Sequence, residues 1–179
     1  MTEQKSPLTP IQQKFILHWG EMGAKWGINR TVAQIHALLY LSDKPLNAEE
    51  IATTLGVARS NVSNSLRELQ GWGIVKITHI LGDRRDHFES MKDVWEMFRV
   101  IVDERKKREA DPVLNMLRDA VAEAKKPGAA DAHTRDRLAE MLQFFELMTG
   151  WVEQTRKLPT PAVLRMVKMG DKVAKMFGS

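Results

Sequence analysis

The sequence predicts a mainly α-helical protein carrying one small β-hairpin. Two observations carry this. Most of the chain shows apolar residues spaced by three and four, the helical period, whereas residues 74–89 alone switch to a short run rich in β-branched side chains, a polar tip and a return. Within the helical part, residues 47–70 spell two short amphipathic helices joined at Gly56.

In chain order, Thr9 caps a helix that starts at Pro10 and runs to about Gly27, with Gln12 at its third position. Phe15, Trp19, Met22 and Trp26 fall on one aromatic stripe. Gly20, Gly23 and Gly27 weaken this helix in isolation, so close packing on a second segment is expected to compensate. Thr31, with Gln34 three residues on, opens a second helix whose core positions are Ile35, Leu38 and Leu39, ending at the Asp43-Lys44-Pro45 turn.

Asn47 and Glu50 form a capping box, and Ile51, Ala52 and Leu55 make the inward face of the next helix. Gly56 suits the left-handed conformation that ends it. The following helix buries Val62, Leu66 and Leu69, leaving Arg59, Ser60, Asn61, Ser63, Asn64 and Arg67 outward. These side chains are short, polar or cationic and reach base edges and phosphates. Gly71 and Gly73 end the helix. Ile74 to Ile80 reads as a strand, Leu81 to Asp86 as a tip, and His87 to Glu89 as the returning strand. A two-helix unit followed by a hairpin is a winged helix-turn-helix, and Arg84 and Arg85 stand where a wing meets the minor groove or the phosphate backbone. Between Arg59 and Arg85 five basic residues face two acidic ones, Glu68 and Asp83, so most of the net charge of +4 is concentrated there.

Ser90, with Asp93 three residues later, is expected to cap a long helix bearing Val94, Trp95, Phe98, Ile101 and Val102. The mixed-sign run from Asp103 to Glu109 reads as a solvated helix face, and Asp111-Pro112 as a break and restart. Lys126-Pro127-Gly128 ends that helix. Another follows from about Asp131 to Lys157 with Leu138, Met141, Leu142, Phe145, Met148 and Val152, and after Leu158 to Pro161 a last helix carries Val163, Val167, Gly170, Ala174 and Phe177. Together these helices bring more apolar surface than a winged domain can cover, which implies a dimer interface, an effector-lined cavity, or both. The expected organisation is an N-terminal helix over residues 1–27 on the dimer or effector side, a winged DNA-binding domain over 28–90, and a helical dimerisation and effector region over 91–179.

At 179 residues and 43% hydrophobic content the chain can bury a core, and the absence of cysteine excludes disulfides and thiolate sites. Met1 to Pro10 is polar and interrupted by Pro7 and Pro10, so no signal peptide is expected, and no apolar run reaches the length of a membrane span. A cytoplasmic location follows as an expectation. No nucleophile triad, phosphate loop or paired-carboxylate motif supports an enzyme, and no cofactor is expected. The histidines form no short-range ligand motif, with His79 and His87 expected as a cross-strand pair rather than a metal site. Trp19, Trp26, Trp72 and Trp95 could cage a quaternary ammonium effector through cation–π attraction, against the simpler reading of core or dimer contacts.

Three runs carry a family resemblance: Trp26 to Leu39, Leu66 to Val75, and Gly82-Asp83-Arg84-Arg85-Asp86. Over about residues 11–110 the chain resembles the GbsR branch of the MarR-type bacterial transcriptional regulators. The resemblance implies a homodimeric repressor or activator on a palindromic double-stranded operator, in a branch that includes regulators of osmoprotectant uptake and synthesis genes. It also maps the family's wing pattern of Asp, any residue, Arg onto Asp83 and Arg85. The expected function is sequence-specific DNA binding as a homodimeric repressor. The alternative from another class is a winged helix used as a protein-interaction module.

Overall fold

The computed structural model describes residues 8–177, with side chains as far as residue 170. Met1 to Pro7, and the side chains of Lys172, Ala174, Lys175 and Phe177, lie outside the described residues. The chain divides into two compact units, Met1–Val100 and Ile101–Ser179.

The first unit opens with α1 (Pro10–Lys25) and α2 (Arg30–Leu41). Thr9 and Gln12 exchange the two hydrogen bonds of a capping box at α1. The glycines of α1 do permit the close approach expected of them. A Cβ at Gly23 would stand 2.6 Å from the Cβ of Ala33 on α2, and one at Gly20 would stand 2.6 Å from Gln34 Cγ. The cap of α2 is Asn29 rather than Thr31, its side chain accepting from the Thr31 amide at 2.8 Å. Helix α2 contributes Val32, Ile35, Leu38 and Leu39 to the core, where they are joined by Ile51, Val62, Leu66 and Leu69.

Strand β1 (Leu46–Asn47) leads directly into α3 (Ala48–Leu55), and α4 (Arg59–Gly71) follows the turn. Asn47 accepts from the amides of Glu49 and Glu50, both at 3.0 Å, while Glu50 accepts from the Asn47 amide at 2.8 Å. Gly56 takes the left-handed conformation at φ 66°. The hairpin is β2 (Val75–Thr78) and β3 (His87–Ser90), but the sheet has three strands, not two. Its order is β1-β3-β2, all antiparallel, with Leu46 opposite Phe88 and Asn47 opposite His87 on one side of β3.

Helix α5 (Val94–Arg105) is capped by Asp93, which accepts from the amides of Trp95 and Glu96 at 2.8 and 2.9 Å; Ser90 belongs to β3 instead. Between them Lys92 Nζ donates to the carbonyls of Leu39, Tyr40 and Ser42 at 2.8–3.0 Å, satisfying the otherwise open C-terminus of α2.

In the second unit the expected break at Asp111-Pro112 is absent. A π-helical turn over Lys106–Ala110 widens the helix ahead of Pro112, and α6 (Asp111–Ala124) continues from it. The charge run is only partly a solvated face. Lys107 and Glu104 pair on the surface, whereas Lys106 sits 2.7 Å from Asp111 and 3.2 Å from Glu153, and Asp103 meets Arg156. Helix α7 (Ala132–Arg156) starts at its Asp131 cap and packs on α6 through the half-buried Leu138, Leu142, Phe145 and Val152. Its other flank exposes Phe144, Leu147 and Trp151. Helix α8 (Thr160–Phe177) leaves Met166, Val167 and Met169 exposed. No described helix is long and apolar enough to cross a membrane.

Candidate nucleic-acid interface

The buried stripe of α4 fixes what its other face presents. Val62, Ser65, Leu66 and Leu69 point inward, so Arg59, Ser60, Asn61, Asn64 and Arg67 are exposed and Ser63 is half-buried. Two contacts along the helix hold the longer side chains. Arg59 Nη1 donates to Ser63 Oγ at 2.6 Å, and Arg67 Nη1 donates to Asn64 Oδ1 at 3.2 Å. No side chain caps the first turn of α4, whose free amides suit an anion.

The wing stands beside this face because β3 pairs with β1, the strand that feeds α3. A groove of about 340 Å³ runs between them, lined among others by Asn47, Glu49, Arg59, Ser63, Arg67 and Arg85. Across the hairpin Lys76 and Glu89 face each other in register at 2.9 Å, and Thr78 Oγ1 donates to the same carboxylate at 3.1 Å. The hydrogen bond from Lys76 leads the causes that lower the pKa of Glu89.

At the tip Asp83 organises its neighbours. It accepts the Arg85 amide at 3.0 Å and the Arg85 Nε at 2.9 Å and 3.1 Å, one distance to each carboxylate oxygen. The guanidinium holds this carboxyl well below the usual range, and Asp83 raises the pKa of Arg85 in return. Arg85 Nη1 also lies 3.7 Å from Glu49 Oε2 at the start of α3. Arg84 is exposed and has no ion-pair partner among the described residues.

His87 and His79 do not form the expected cross-strand pair. His87 is buried opposite Thr78 and Asn47, with Nδ1 2.9 Å from the Arg85 carbonyl and Nε2 3.6 Å from Asp83. His79 is exposed, 4.0 Å from Asp86. Among the described residues no group of three or more His, Cys, Asp or Glu side chains could hold a metal ion.

Residues 26–86 match the family model described as "MarR family". Over these residues the winged helix is similar to that family. A Bacillus subtilis (strain 168) protein named "Putative HTH-type transcriptional regulator YvaV" is 28% identical over 98 residues, covering 53% of this chain. The chain spans about half the length of that curated relative, 55%. A solved structure titled "Crystal Structure of a transcriptional regulator" shares the fold, with a TM-score of 0.64 at 21% identity over 82% of this chain and 96% of that one.

Sequence reasoning missed Glu49, brought to the wing by the β1–β3 pairing, and it misplaced His87, which is buried beside Asp83 rather than facing His79. The four tryptophans lie on α1, at the C-caps of α1 and α4, and on α5. Trp19 stacks on Phe15 with ring centroids 5.3 Å apart, and its ring lies 6.4 Å from His36. Trp26 follows α1 as its exposed C-cap, Trp72 is the half-buried C-cap of α4, and Trp95 lies exposed in the first turn of α5.

Proposed function

We propose that this protein is a sequence-specific DNA-binding transcriptional regulator of the MarR type, acting as a homodimeric repressor in the cytoplasm. The observation that carries the reading is the exposed polar face of α4 set beside an arginine-bearing wing tip. Asn61, Ser63, Asn64 and Arg67 contact bases and phosphates from the major groove, Arg59 and Ser60 contact the backbone near the start of the helix, and Arg84 and Arg85 hold the flank. Two such heads on a palindromic operator would be about 34 Å apart. The exposed Phe144, Leu147 and Trp151 on α7 support self-association, because a monomer leaves this apolar flank in water.

The GbsR resemblance supports placing the protein among regulators of osmoprotectant genes, with a quaternary ammonium compound as effector and Trp19, Trp26, Trp72 and Trp95 as its aromatic contacts. Titrating tryptophan fluorescence with choline or glycine betaine tests the effector, and neither quenching nor a shift in Tm would remove it. For the DNA-binding reading the test is a mobility shift on the duplex upstream of the protein's own gene at two salt concentrations. The expected result is a retarded complex that weakens as salt rises. No salt-sensitive complex would leave the protein-interaction module as the better reading.

A further inference from the structure

The wing ends in a tight turn over Ile80, Leu81, Gly82 and Asp83. The Asp83 amide donates to the Ile80 carbonyl at 3.0 Å, and Gly82, the third residue, has φ 86°. That combination is the geometry of a type II turn, whose second residue stands at the apex. Here the apex is Leu81, exposed at 104% of its reference area. Proline and polar residues normally occupy such positions, because an apolar side chain there loses water contacts and gains no packing.

The turn is also braced by Asp83. Asp83 closes it with its amide and then binds both the amide and the guanidinium of Arg85, so Leu81 is held at a set position relative to Arg84 and Arg85. Exposed Ile77 and Ile80 extend the apolar surface down the same hairpin. An apolar tip followed closely by two arginines is poorly matched to a protein groove or a second copy of this chain. It is well matched to nucleic acid, where phosphates take the cations and stacked bases offer an apolar surface.

We propose that Leu81 is a minor-groove wedge, inserted at a base step beside the half-site while Arg84 and Arg85 hold the groove walls. This rests on the DNA-binding reading above and adds a determinant of specificity to it. Wedge insertion unstacks a step, so sites with an easily opened pyrimidine–purine step, TA or CA, under the wing bind more tightly than sites with a stiff A-tract there.

The test uses the full-length protein and a duplex selected by it from a random pool, with 2-aminopurine placed in turn at the flanking steps. Wild type is expected to raise the probe's fluorescence at one step on each side of the site. Leu81→Ser should abolish the rise and weaken binding about tenfold, or about 1.4 kcal/mol, with the salt slope unchanged because no charge is lost. Leu81→Met should restore both signals. The side chain is fully exposed, so none of these variants perturbs the core. Equal affinity and equal fluorescence for wild type and Leu81→Ser would overturn the wedge while leaving DNA binding intact. A lower molar mass of Leu81→Ser by light scattering, with DNA contacts unchanged, would instead assign the tip to a second copy. Failure of wild type to select any duplex would overturn the DNA-binding reading and the wedge with it.

Discussion

Replacing Arg85 by alanine should cost DNA binding more than the loss of one cation, because Asp83 stays behind. In the wild-type wing the guanidinium lies 2.9 and 3.1 Å from the two oxygens of Asp83 and offsets its charge. Removal leaves an uncompensated carboxylate beside the phosphates, still ionised at neutral pH. Each phosphate contact contributes about 0.9 to the slope of log K against log salt, so losing one contact per wing in a dimer lowers the slope by about 1.8. Between about 50 and about 200 mM salt, log salt changes by about 0.6, so the variant should be about tenfold less sensitive across that range than wild type. The double variant Asp83→Ala/Arg85→Ala should share the reduced slope but recover part of the lost affinity, since the residual repulsion is gone. Fluorescence anisotropy of a labelled operator duplex across the salt series measures both quantities. An Arg85→Ala slope equal to wild type, or a double variant no tighter than the single, would refute the reasoning.

Two further predictions concern the fold. Gly23→Ala brings its Cβ to 2.6 Å from the Cβ of Ala33, an atom with no rotamer to escape into. Overpacking of about 1–3 kcal/mol then exceeds the gain of about 1 kcal/mol in helix propensity, so urea denaturation should show a net loss. Gly20→Ala meets the flexible Gln34 side chain instead and should come out near neutral; equal losses at the two sites would sink the distinction. His36 is buried at 4% exposure, and burial pushes its imidazole from 6.5 down to about 4. Because the unfolded chain binds this proton more readily, stability should fall as pH drops from 6.5 to about 4, by at most about 3 kcal/mol. Urea midpoints against pH should show that fall in wild type and lose this component in His36→Phe. Identical pH profiles would count against it.

Most of the helices were legible in the sequence because their ends are written in local chemistry. Thr9 with Gln12, Asn47 with Glu50, and Gly56 each solve a backbone problem within four residues, and a reader needs no tertiary information to see it. The misassigned features depend on distant partners or on tolerance. Strand β1 is two residues long and exists only because β3, some forty residues later, pairs with it. Pro112 reads as a stop, yet the π turn before it absorbs the missing amide and the helix continues. The second flank of α7 repeats the apolar period of the first, so periodicity alone could not say which flank faces α6.

The same division explains the candidate site. The exposed face of α4 was legible as the complement of its buried stripe, and Leu81 to Asp86 was legible as a tip, which the Asp83 amide closes onto the Ile80 carbonyl. The coupling of wing to helix was not legible, because it passes through Asn47. That side chain caps α3, its backbone pairs with His87 on β3, and it lines the groove between them. One residue therefore sets the start of the helix-turn-helix and the lateral position of the hairpin together. Arg85 reaching Glu49 is a consequence of this shared anchor, since the β1–β3 register places the first turn of α3 next to the wing. The hairpin and the start of α3 are thus joined through the β1–β3 pair. If the proposed DNA contacts are made, this shared anchor places the wing arginines and the polar face of α4 in one frame beforehand, which lowers the ordering cost of binding.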